Sequence, residues 1–418
     1  MLPIGTTCVL QTQHDEKVET EFSLTQIELE PFLHQVGGHS SIFILDEGTI
    51  CKPLIARELQ FYELMPTCLK PFTPEYRGVI QVRFVEDSDG YIRVDAYAPK
   101  SISTNQLHES TTKRRGRNRR IRLKKSGSID IQTDFGNSKE SLLKKADLDL
   151  SQDGNLASAL ERRPSVSLSI PMTSGSSNSS SSCRTPPTEI LHNPWAVQCQ
   201  KSQLSKLKSQ NHPQNFLLLE NITRRFEHPC VLDLKMGTRQ YGDDASEDKI
   251  RSKSAKAGNS TSVHLGVRIC GMQVYQTLSS SFVCQDKYYG QKLNVSGFHD
   301  GLTQFLSNGH RLRVDALNTL LGKLRELRQV LLTLDTFRFY TSSLLLAYEG
   351  RDDDVDDGVN NSSGMIVDVE VAMIDFAHST YSELDKKKHE GPDAGYIFGL
   401  NNLISTLEQI SDENINSK

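Results

Sequence analysis

Residues 18–98 consist of short apolar runs separated by polar turns, a pattern typical of antiparallel strands. Two pairs of runs flank the turns Asp46-Glu47-Gly48 and Asp89-Gly90, which favour hairpin connections. A short helix is expected between the hairpins and is ended by Pro66. The predicted strands are 41–45, 49–51, 79–85 and 91–94, and the predicted helix is 56–64.

Longer apolar patterns occupy the second half of the chain. From Val314 to Phe337 the apolar residues recur at spacings of three and one, which predicts a helix with a single apolar stripe that faces a core. Runs rich in apolar residues predict further strands, and the run from Phe216 to Leu219 predicts a short buried one. These runs are 216–219, 343–348 and 364–374, and a further one begins at Val231.

Between the two folded parts the composition changes. Residues 113–125 contain nine basic residues in thirteen, and residues 173–182 contain seven serines in ten. Such segments bury too little apolar surface to offset the entropy of ordering, so we predict a disordered basic and Ser-rich insert over residues 100–205. Its basic run fits a nuclear address, a patch for an acidic protein partner or a solvated linker equally well, and Arg162-Arg163-Pro164-Ser165 resembles a site for a basic-directed protein kinase.

Net charge divides unevenly between the insert and the rest of the chain. Residues 101–200 hold 15 Lys and Arg against 9 Asp and Glu, a balance of +6, which leaves 33 against 43, or −10, from the chain totals of 48 and 52. A body this acidic does not attract a polyanion through its overall field. Any anionic substrate must therefore meet a local basic cluster, and specific nucleic-acid binding is not expected.

The cysteine pattern and the hydropathy of the chain indicate the cellular compartment in which the protein is expected. The eight cysteines form no Cys-x-x-Cys pair, which favours free thiols in a reducing environment. No apolar run approaches the roughly 20 residues that span a bilayer, and the N-terminus has no signal-peptide pattern. These observations predict a cytoplasmic or nuclear protein, or one found in both places.

Three clusters of residues carry candidate chemistry. Gln35-Val36-Gly37-Gly38-His39 is a turn whose small residues let the backbone approach phosphate, and a hairpin then delivers Lys52 on a strand. Asp233 and Lys235 lie two apart in an extended run, so they project to one face. Asp375 follows a hydrophobic strand, where a metal-binding carboxylate could lie. Each cluster also has an interpretation without a function. These are an ordinary hairpin with a surface lysine for the first, a surface ion pair for the second and a strand-end turn with a capping aspartate for the third.

The segment around the second cluster resembles a known family. Pro229–Gly237 matches the Pro-x-x-x-Asp-x-Lys-x-Gly signature of inositol polyphosphate kinases. Other stretches resemble the inositol hexakisphosphate kinase branch of that family, and together the resemblance covers about 20–98 and 215–410. These stretches are 31–39, 49–53, 72–76, 242–246, 265–275, 338–344 and 391–399.

The resemblance implies a two-lobed α+β fold akin to protein kinases, with an N-terminal lobe over 18–99 and a C-terminal lobe over 206–418. It implies ATP and Mg²⁺ as cofactors. Lys52 would hold the nucleotide phosphates and Asp233 the ribose hydroxyls. The hinge, formed by Glu220, Asn221 and Ile222, would meet adenine through its backbone, and Asp375 would bind the metal with Ser343 as a helper.

On the substrate side, the resemblance assigns Lys235 to both the inositol phosphate and the transferring phosphoryl group, and His378 to the substrate's vicinity. The basic stretch from Lys249 to Lys256 supplies the required local cluster, because on a helix its lysines share one face. The candidates in this stretch are Lys249, Arg251, Lys253 and Lys256, and weaker candidates are Arg268, Lys287 and Lys292.

The activity implied is transfer of the γ-phosphoryl group of Mg-ATP to inositol hexakisphosphate, and to the pentakisphosphate, with a pyrophosphate as product. The acceptor phosphate is already ionised near neutral pH and needs little general-base help. Two alternatives stay open. One is a multikinase or trisphosphate 3-kinase of the same family that phosphorylates ring hydroxyls, and the other is a non-catalytic scaffold that acts through the insert.

Overall fold

The computed structural model of the chain describes residues 25–38, 40–86, 88, 90–98, 119–124, 129–133, 193–207, 212–351, 367–384 and 389–416. Its described elements form a mixed α+β architecture of two antiparallel sheets with helices, as predicted. His39, the last residue of the predicted glycine turn, lies outside the described residues.

The N-terminal lobe is built on a nine-stranded sheet. Its strands run in the order β2-β3-β4-β9-β5-β6-β7-β8, with β1 paired to β6, and all of these pairs are antiparallel. Both predicted hairpins are confirmed as β3–β4 and β5–β6. The strands are β1 Thr25–Glu28, β2 Glu30–Pro31, β3 Phe43–Asp46, β4 Thr49–Pro53, β5 Tyr76–Glu86, β6 Tyr91–Ala98, β7 Arg119–Lys124, β8 Ile129–Thr133 and β9 Gln214–Glu220. Helix α1 Ala56–Leu64 and a 3₁₀ helix Thr67–Phe72 follow β4.

The C-terminal lobe is built on a five-stranded sheet in the order β12-β11-β10-β13-β14. Its strands are β10 Pro229–Met236, β11 Val267–Gln276, β12 Ser281–Gln285, β13 Ser343–Glu349 and β14 Val369–Ile374. The helices that accompany the two sheets are α2 Pro194–Leu207, α3 Glu247–Gly258, α4 Thr261–Leu265, α5 Lys287–Lys292, α6 Val295–Phe305, α7 Val314–Thr333 and α8 Ala394–Asn416. The predicted apolar stripe is confirmed in α7, where seven residues from Ala316 to Leu331 are buried.

One hydrophobic core spans the C-terminal lobe and reaches into the other lobe. It contains buried residues of α6, α7 and α8, and it also takes in Phe61 of α1 and Leu69 of the 3₁₀ helix. A second core lies within the nine-stranded sheet around Phe43 and Phe216. Helix α1 therefore belongs structurally to both lobes, and this fixes the position of β4, which precedes it.

Two parts of the range 100–205 differ from the predicted disorder. Strands β7 and β8 form a hairpin that extends the nine-stranded sheet at β6. Helix α2 begins inside the range and ends at Leu207, two residues beyond the predicted boundary. Local order arises here because β7 pairs with an available sheet edge and α2 has a buried face. The rest of the range lies outside the described residues, and the predicted domain boundaries stay a prediction.

Candidate functional site

Strand β10 presents two different faces. Leu232, Leu234 and Met236 enter the main core, so the residues between them, Asp233 and Lys235, project to the opposite face. Beside them on β13, Leu345 pairs with Asp233 and Ser343 pairs with Lys235. The Lys235 ammonium lies 3.5 Å from the Ser343 hydroxyl. The predicted same-face placement of Asp233 and Lys235 is confirmed.

Asp233 is an unusual carboxylate because it is buried with an unused acceptor. Its side chain is 3% exposed, and among the described residues its Oδ1 atom has no hydrogen-bond partner. Burial raises the pKa of Asp233 to about 6, and the neighbouring Lys235 and the Ser343 hydroxyl limit that rise. Gly37 lies directly over this carboxylate, since a Cβ atom there would fall 1.8 Å from Asp233 Oδ2. Only glycine fits this position of the turn.

Lys52 on β4 joins the two lobes through charge. Its Nζ atom lies 2.6 Å from Asp375 Oδ1 in the C-terminal lobe and 2.8 Å from Glu58 Oε1 on α1. Burial lowers the pKa of Lys52, but Asp375 and Glu58 outweigh this effect and raise the pKa above its ordinary value. We call Lys52, Glu58 and Asp375 the lysine–carboxylate cluster. Lys52 is thus held charged and oriented by two carboxylates.

Sequence reasoning missed Glu58. Its side chain is fully buried, and its Oε1 atom also accepts a hydrogen bond from the Phe376 N–H at 3.2 Å. The ring of Phe376 stacks on Phe61 of α1 with centroids 4.4 Å apart. The signal that could have found Glu58 is an acidic residue in the first turn of the helix that follows the lysine-bearing strand. Glu58 and Phe376 together tie α1 to the candidate metal-binding residue.

Asp375 follows β14 at the point where the strand ends. Its φ of 66° lies in the left-handed region, which Asp tolerates better than most residues and which is common at functional positions. Among the described residues, no three His, Cys, Asp or Glu side chains are grouped to hold a metal. Mg²⁺ usually takes only one or two protein carboxylates and completes its shell with phosphates and water. The assignment of Asp375 and Ser343 to a metal stays a prediction.

The predicted hinge connects β9 to the C-terminal lobe. The Glu220 N–H donates to the Glu75 carbonyl at 2.9 Å, and the Asn221 N–H donates to the Gly48 carbonyl at 2.8 Å. The Asn221 amide group donates to the Glu47 carbonyl at 3.0 Å, so this side chain braces the β3–β4 turn. The Asn221 carbonyl is engaged as well, since it accepts a hydrogen bond from the Arg224 N–H at 3.1 Å. Contact of the hinge backbone with adenine stays a prediction.

Helix α3 carries the basic stretch, and it is helical as the sequence analysis assumed. Ser246 caps it, accepting a hydrogen bond from the Lys249 N–H at 3.4 Å. Burial lowers the pKa of Lys253, and four neighbouring cations lower it further. These cations are Lys256, Arg268, Lys235 and Lys249. We call these four residues and Lys253 the basic wall.

The structure separates Arg251 from the other basic residues of α3. Its side chain is 75% exposed, and its guanidinium lies 2.5 Å from a carboxylate oxygen of Asp248, which belongs to the same helix. This follows from helical geometry, because a residue two positions from Lys249 lies on a different face. Of the four α3 residues predicted to contact substrate, three share the wall and Arg251 does not.

His378 lies beside the basic wall. Burial lowers the pKa of His378, and Lys249, Arg57 and Lys235 add to that effect while Asp244 opposes it. Its Nδ1 atom is 4.0 Å from an Asp244 carboxylate oxygen. A neutral imidazole at this position is surrounded by cations, and an anionic ligand would favour its protonation.

A buried ionic network fixes the turn that precedes α3. Asp243 accepts a hydrogen bond from Arg239 at 2.7 Å and lies 2.7 Å from His389 Nε2. The Arg239 guanidinium lies over the Tyr340 ring at 4.0 Å and over the Tyr241 ring at 4.6 Å. This network connects the start of α3 to the segment that leads into α8, so it holds the basic wall in place.

A lysine held between two carboxylates, a glycine turn packed on Asp233 and a basic wall are together the features of a two-lobed phosphotransferase. The family model "Inositol polyphosphate kinase" matches residues 216–408. Human inositol hexakisphosphate kinase 1 is 42% identical over 428 residues, which cover 92% of this chain and 94% of the relative. The chain therefore belongs to the inositol polyphosphate kinase family.

Two other human proteins and one solved structure are also similar to this chain. Human inositol hexakisphosphate kinase 3 is 41% identical over 92% of this chain and 96% of its own length, and human inositol hexakisphosphate kinase 2 is 40% identical over 92% and 95%. A solved structure of the S. cerevisiae inositol phosphate multikinase Ipk2 with ADP and Mn²⁺ is 26% identical, covers 47% of this chain and 84% of that chain, and has a TM-score of 0.41.

Proposed function

We propose that this protein transfers the γ-phosphoryl group of Mg-ATP to a phosphate of inositol hexakisphosphate and forms an inositol pyrophosphate. Inositol pentakisphosphate is the expected second substrate. The observation that carries the proposal is the basic wall, which shares Lys235 with the strand that bears Asp233. Asp233 links the wall to the lysine–carboxylate cluster, because Lys235 and Arg268 of the wall and Asp375 of the cluster all act on its pKa. The names of the full-length relatives support the choice of substrate.

The residues present fit a nucleotide with its metal. The unused Oδ1 acceptor of Asp233 suits the ribose hydroxyls, and the glycine turn above it leaves no side chain in the way. Lys52 would hold the phosphates, and Asp375 would bind the metal with Ser343 nearby. When bound, Mg-ATP supplies the γ-phosphoryl group, and its metal neutralises phosphate charge.

The basic wall fits a polyanion of small size. Its members depress the pKa of Lys253, so they repel one another when no ligand is present. A ligand with six phosphates relieves this repulsion at several points. Lys235 lies at the junction of the wall and the nucleotide side, where it would stabilise charge on the moving phosphoryl group.

The acceptor requires little proton chemistry from the protein. A phosphate on the inositol ring is ionised near neutral pH, so no general base is needed to create the nucleophile. Since the pKa of His378 is lowered, His378 is neutral at pH 7 without ligand and would gain a proton when a polyanion binds. Its proposed task is therefore binding, and the chemical step depends on orientation and charge.

The test is incubation of the purified protein with Mg-ATP and inositol hexakisphosphate, followed by separation of the products by charge. Wild type and Asp375→Asn are compared, because the variant removes the proposed metal ligand with little change of shape. A more anionic product that is absent with the variant is the expected result. Turnover of lower inositol phosphates alone would instead favour a multikinase or trisphosphate 3-kinase, and no turnover of any inositol phosphate would favour a scaffold.

Residence in the cytoplasm or nucleus, and protein partners of the insert, stay predictions. None of the helices within the described ranges has the length and apolar character to cross a membrane.

A further inference from the structure

The glycine turn, residues 35–38, rests directly on the C-terminal sheet. A Cβ atom at Gly37 would overlap the Asp233 carboxylate, and one at Gly271 of β11 would fall 1.7 Å from the Val36 carbonyl oxygen. Gln35 closes the turn from within, since its amide group donates to the Gly37 carbonyl at 2.9 Å and to the Ser40 carbonyl at 2.8 Å. The turn is therefore packed closely against the C-terminal sheet on this side.

The upper side of the turn is covered by helix α2. Asn193 caps this helix by accepting a hydrogen bond from the Trp195 N–H at 2.9 Å, and Pro194 suits the first helical position. The Asn193 N–H donates to the Leu33 carbonyl at 2.9 Å. The start of α2 is thus fixed to the chain just before the glycine turn.

One face of α2 continues this contact along the turn. The indole N–H of Trp195 donates to the Gly38 carbonyl at 3.2 Å, and the Ser41 hydroxyl donates to the Cys199 carbonyl at 3.1 Å. The Gln200 amide group donates to the Ile42 carbonyl at 3.0 Å. The residues of this face are buried, and they are Trp195, Ala196, Cys199 and Gln200.

Trp195 also contacts the C-terminal lobe. The ammonium of Lys287 on α5 lies 5.2 Å from the centre of its ring, within the range of a cation–π interaction. Burial lowers the pKa of Lys287, and the nearby Lys256 of the basic wall contributes to that effect. A single side chain therefore touches the turn above Asp233 and a lysine next to the wall.

We propose that Trp195 is a positioning residue for the nucleotide, which acts by holding the Gly38 carbonyl and so fixing the glycine turn over Asp233. This rests on the proposed function, since it assumes that the nucleotide ribose meets the Oδ1 atom of Asp233, the residue on which the turn packs. The helix that does this lies at the end of the insert. The insert thus supplies a structural part of the nucleotide site.

The protein provides its own probe, because Trp195 is the only tryptophan in the chain. Wild type is titrated with Mg-ADP while tryptophan fluorescence and binding heat are recorded on the same sample. We expect a fluorescence change that saturates with the same Kd as the heat. Binding heat without any fluorescence change would overturn the role of Trp195 and leave the proposed function intact. No binding heat at all would overturn the proposed function and this inference with it.

A second measurement separates positioning from a general loss of structure. Trp195→Phe removes the indole N–H and keeps an aromatic ring beside Lys287, and Gln198→Ala on the exposed face of α2 is the matched control. Loss of one hydrogen bond predicts that the calorimetric Kd for Mg-ADP rises about threefold to tenfold in Trp195→Phe. The Kd for inositol hexakisphosphate should stay within about twofold of wild type in both variants. Unchanged Mg-ADP binding, or equal losses for both ligands together with a lower Tm, would contradict the proposal.

Discussion

The lysine–carboxylate cluster and the basic wall, which we treat as the two ends of the candidate site, differ in how positive charge is balanced. In the lysine–carboxylate cluster, Lys52 has carboxylate oxygens at 2.6 and 2.8 Å, and they raise its pKa. In the basic wall, Lys253 has a pKa lowered by burial and by other cations. Without ligand, the charge of Lys52 is therefore paired with two carboxylates, whereas no acid is among the described groups that shift the pKa of Lys253.

This difference in charge balance determines which ligands the cluster and the wall can each select. A balanced lysine is held in one place at little electrostatic cost, so it can orient a nucleotide phosphate without demanding a particular ligand charge. The wall stores mutual repulsion, and only a ligand with many negative charges relieves it. Under the proposed function, the wall recognises the number of charges on the substrate and the cluster orients the nucleotide.

Lys235 stands at the border between these two ends, so it tests whether they are separate. Its ammonium lies 3.5 Å from the Ser343 hydroxyl, and its charge also lowers the pKa of Lys253. We expect Lys235→Met to lower kcat by about a hundredfold to a thousandfold, because it removes charge that stabilises the moving phosphoryl group. Both KM values should change by less than about threefold, as steady-state kinetics with each substrate varied in turn would measure.

The control for Lys235 is Lys70→Met, which changes an exposed lysine on the 3₁₀ helix and should leave all constants unaltered. A loss confined to the KM for inositol hexakisphosphate would assign Lys235 to the wall alone. A loss confined to the KM for ATP would assign it to the nucleotide end.

Local rules explain how much of this site could be predicted from the sequence. The strand period of two places Asp233 and Lys235 on one face of β10, and a helical period places Lys249, Lys253 and Lys256 together. Arg251 was included because it belongs to the same basic stretch, although the helical period already excludes it from that face. Positions fixed within one element were thus predictable.

Positions fixed between elements were not. Lys52 meets Asp375 and Glu58 meets the Phe376 N–H across more than three hundred positions of the chain, which no spacing rule reveals. Helix α2 was not predicted because the sequence that precedes it is polar, although Asn193 and Pro194 form a recognisable helix start. Its order depends on the surface of the glycine turn that it covers, and that surface exists only in the folded protein.

Glu58 tests whether the charge balance of Lys52 matters at the proposed nucleotide site. Glu58→Gln should lower kcat/KM for ATP about tenfold to thirtyfold, since Lys52 loses one of its charged partners and a buried amide then faces its ammonium. The free energy of unfolding should fall by about 3 kcal/mol, because one partner of a buried ion pair is lost. Kinetics and denaturant unfolding measure the two effects.

The matched control is Glu63→Gln, which changes an exposed acid on the same helix. If Glu58→Gln keeps the wild-type kcat/KM for ATP, Asp375 alone is sufficient to orient Lys52. The contrast between a balanced and an unbalanced end would then have no consequence for catalysis.

Asp233 gives a smaller effect on binding, with opposite consequences for stability and affinity. Its folded pKa of about 6 exceeds the unfolded value of 3.8, so the folded state holds more protons between these pH values. The free energy of unfolding therefore falls as pH rises from about 4 to about 6. Asp233→Asn should lack this slope and should be about 1–3 kcal/mol more stable at pH 7.

The same variant should bind Mg-ADP about fivefold to tenfold more weakly, because the amide offers the ribose one fewer charged acceptor. Unfolding curves at pH 4, 5, 6 and 7 and calorimetry at pH 7 measure both effects. A variant that is less stable than wild type at pH 7 would show that the carboxylate is satisfied in the folded state, contrary to its unused Oδ1 atom.

Lys253 tests the wall itself, and we expect the smallest effect there because several cations share the task. Lys253→Met should raise the KM for inositol hexakisphosphate about threefold to fivefold at low salt and leave kcat and the KM for ATP unaltered. The increase should shrink at high salt, since screening weakens interactions of exposed charges.

Arg251→Met is the matched control, because it removes an equal charge that is already paired with Asp248. The geometry of α3 predicts no effect of this control on KM. Equal effects of both variants on the KM for inositol hexakisphosphate would mean that α3 acts through its net charge alone. The arrangement of its lysines on one face would then not contribute to recognition.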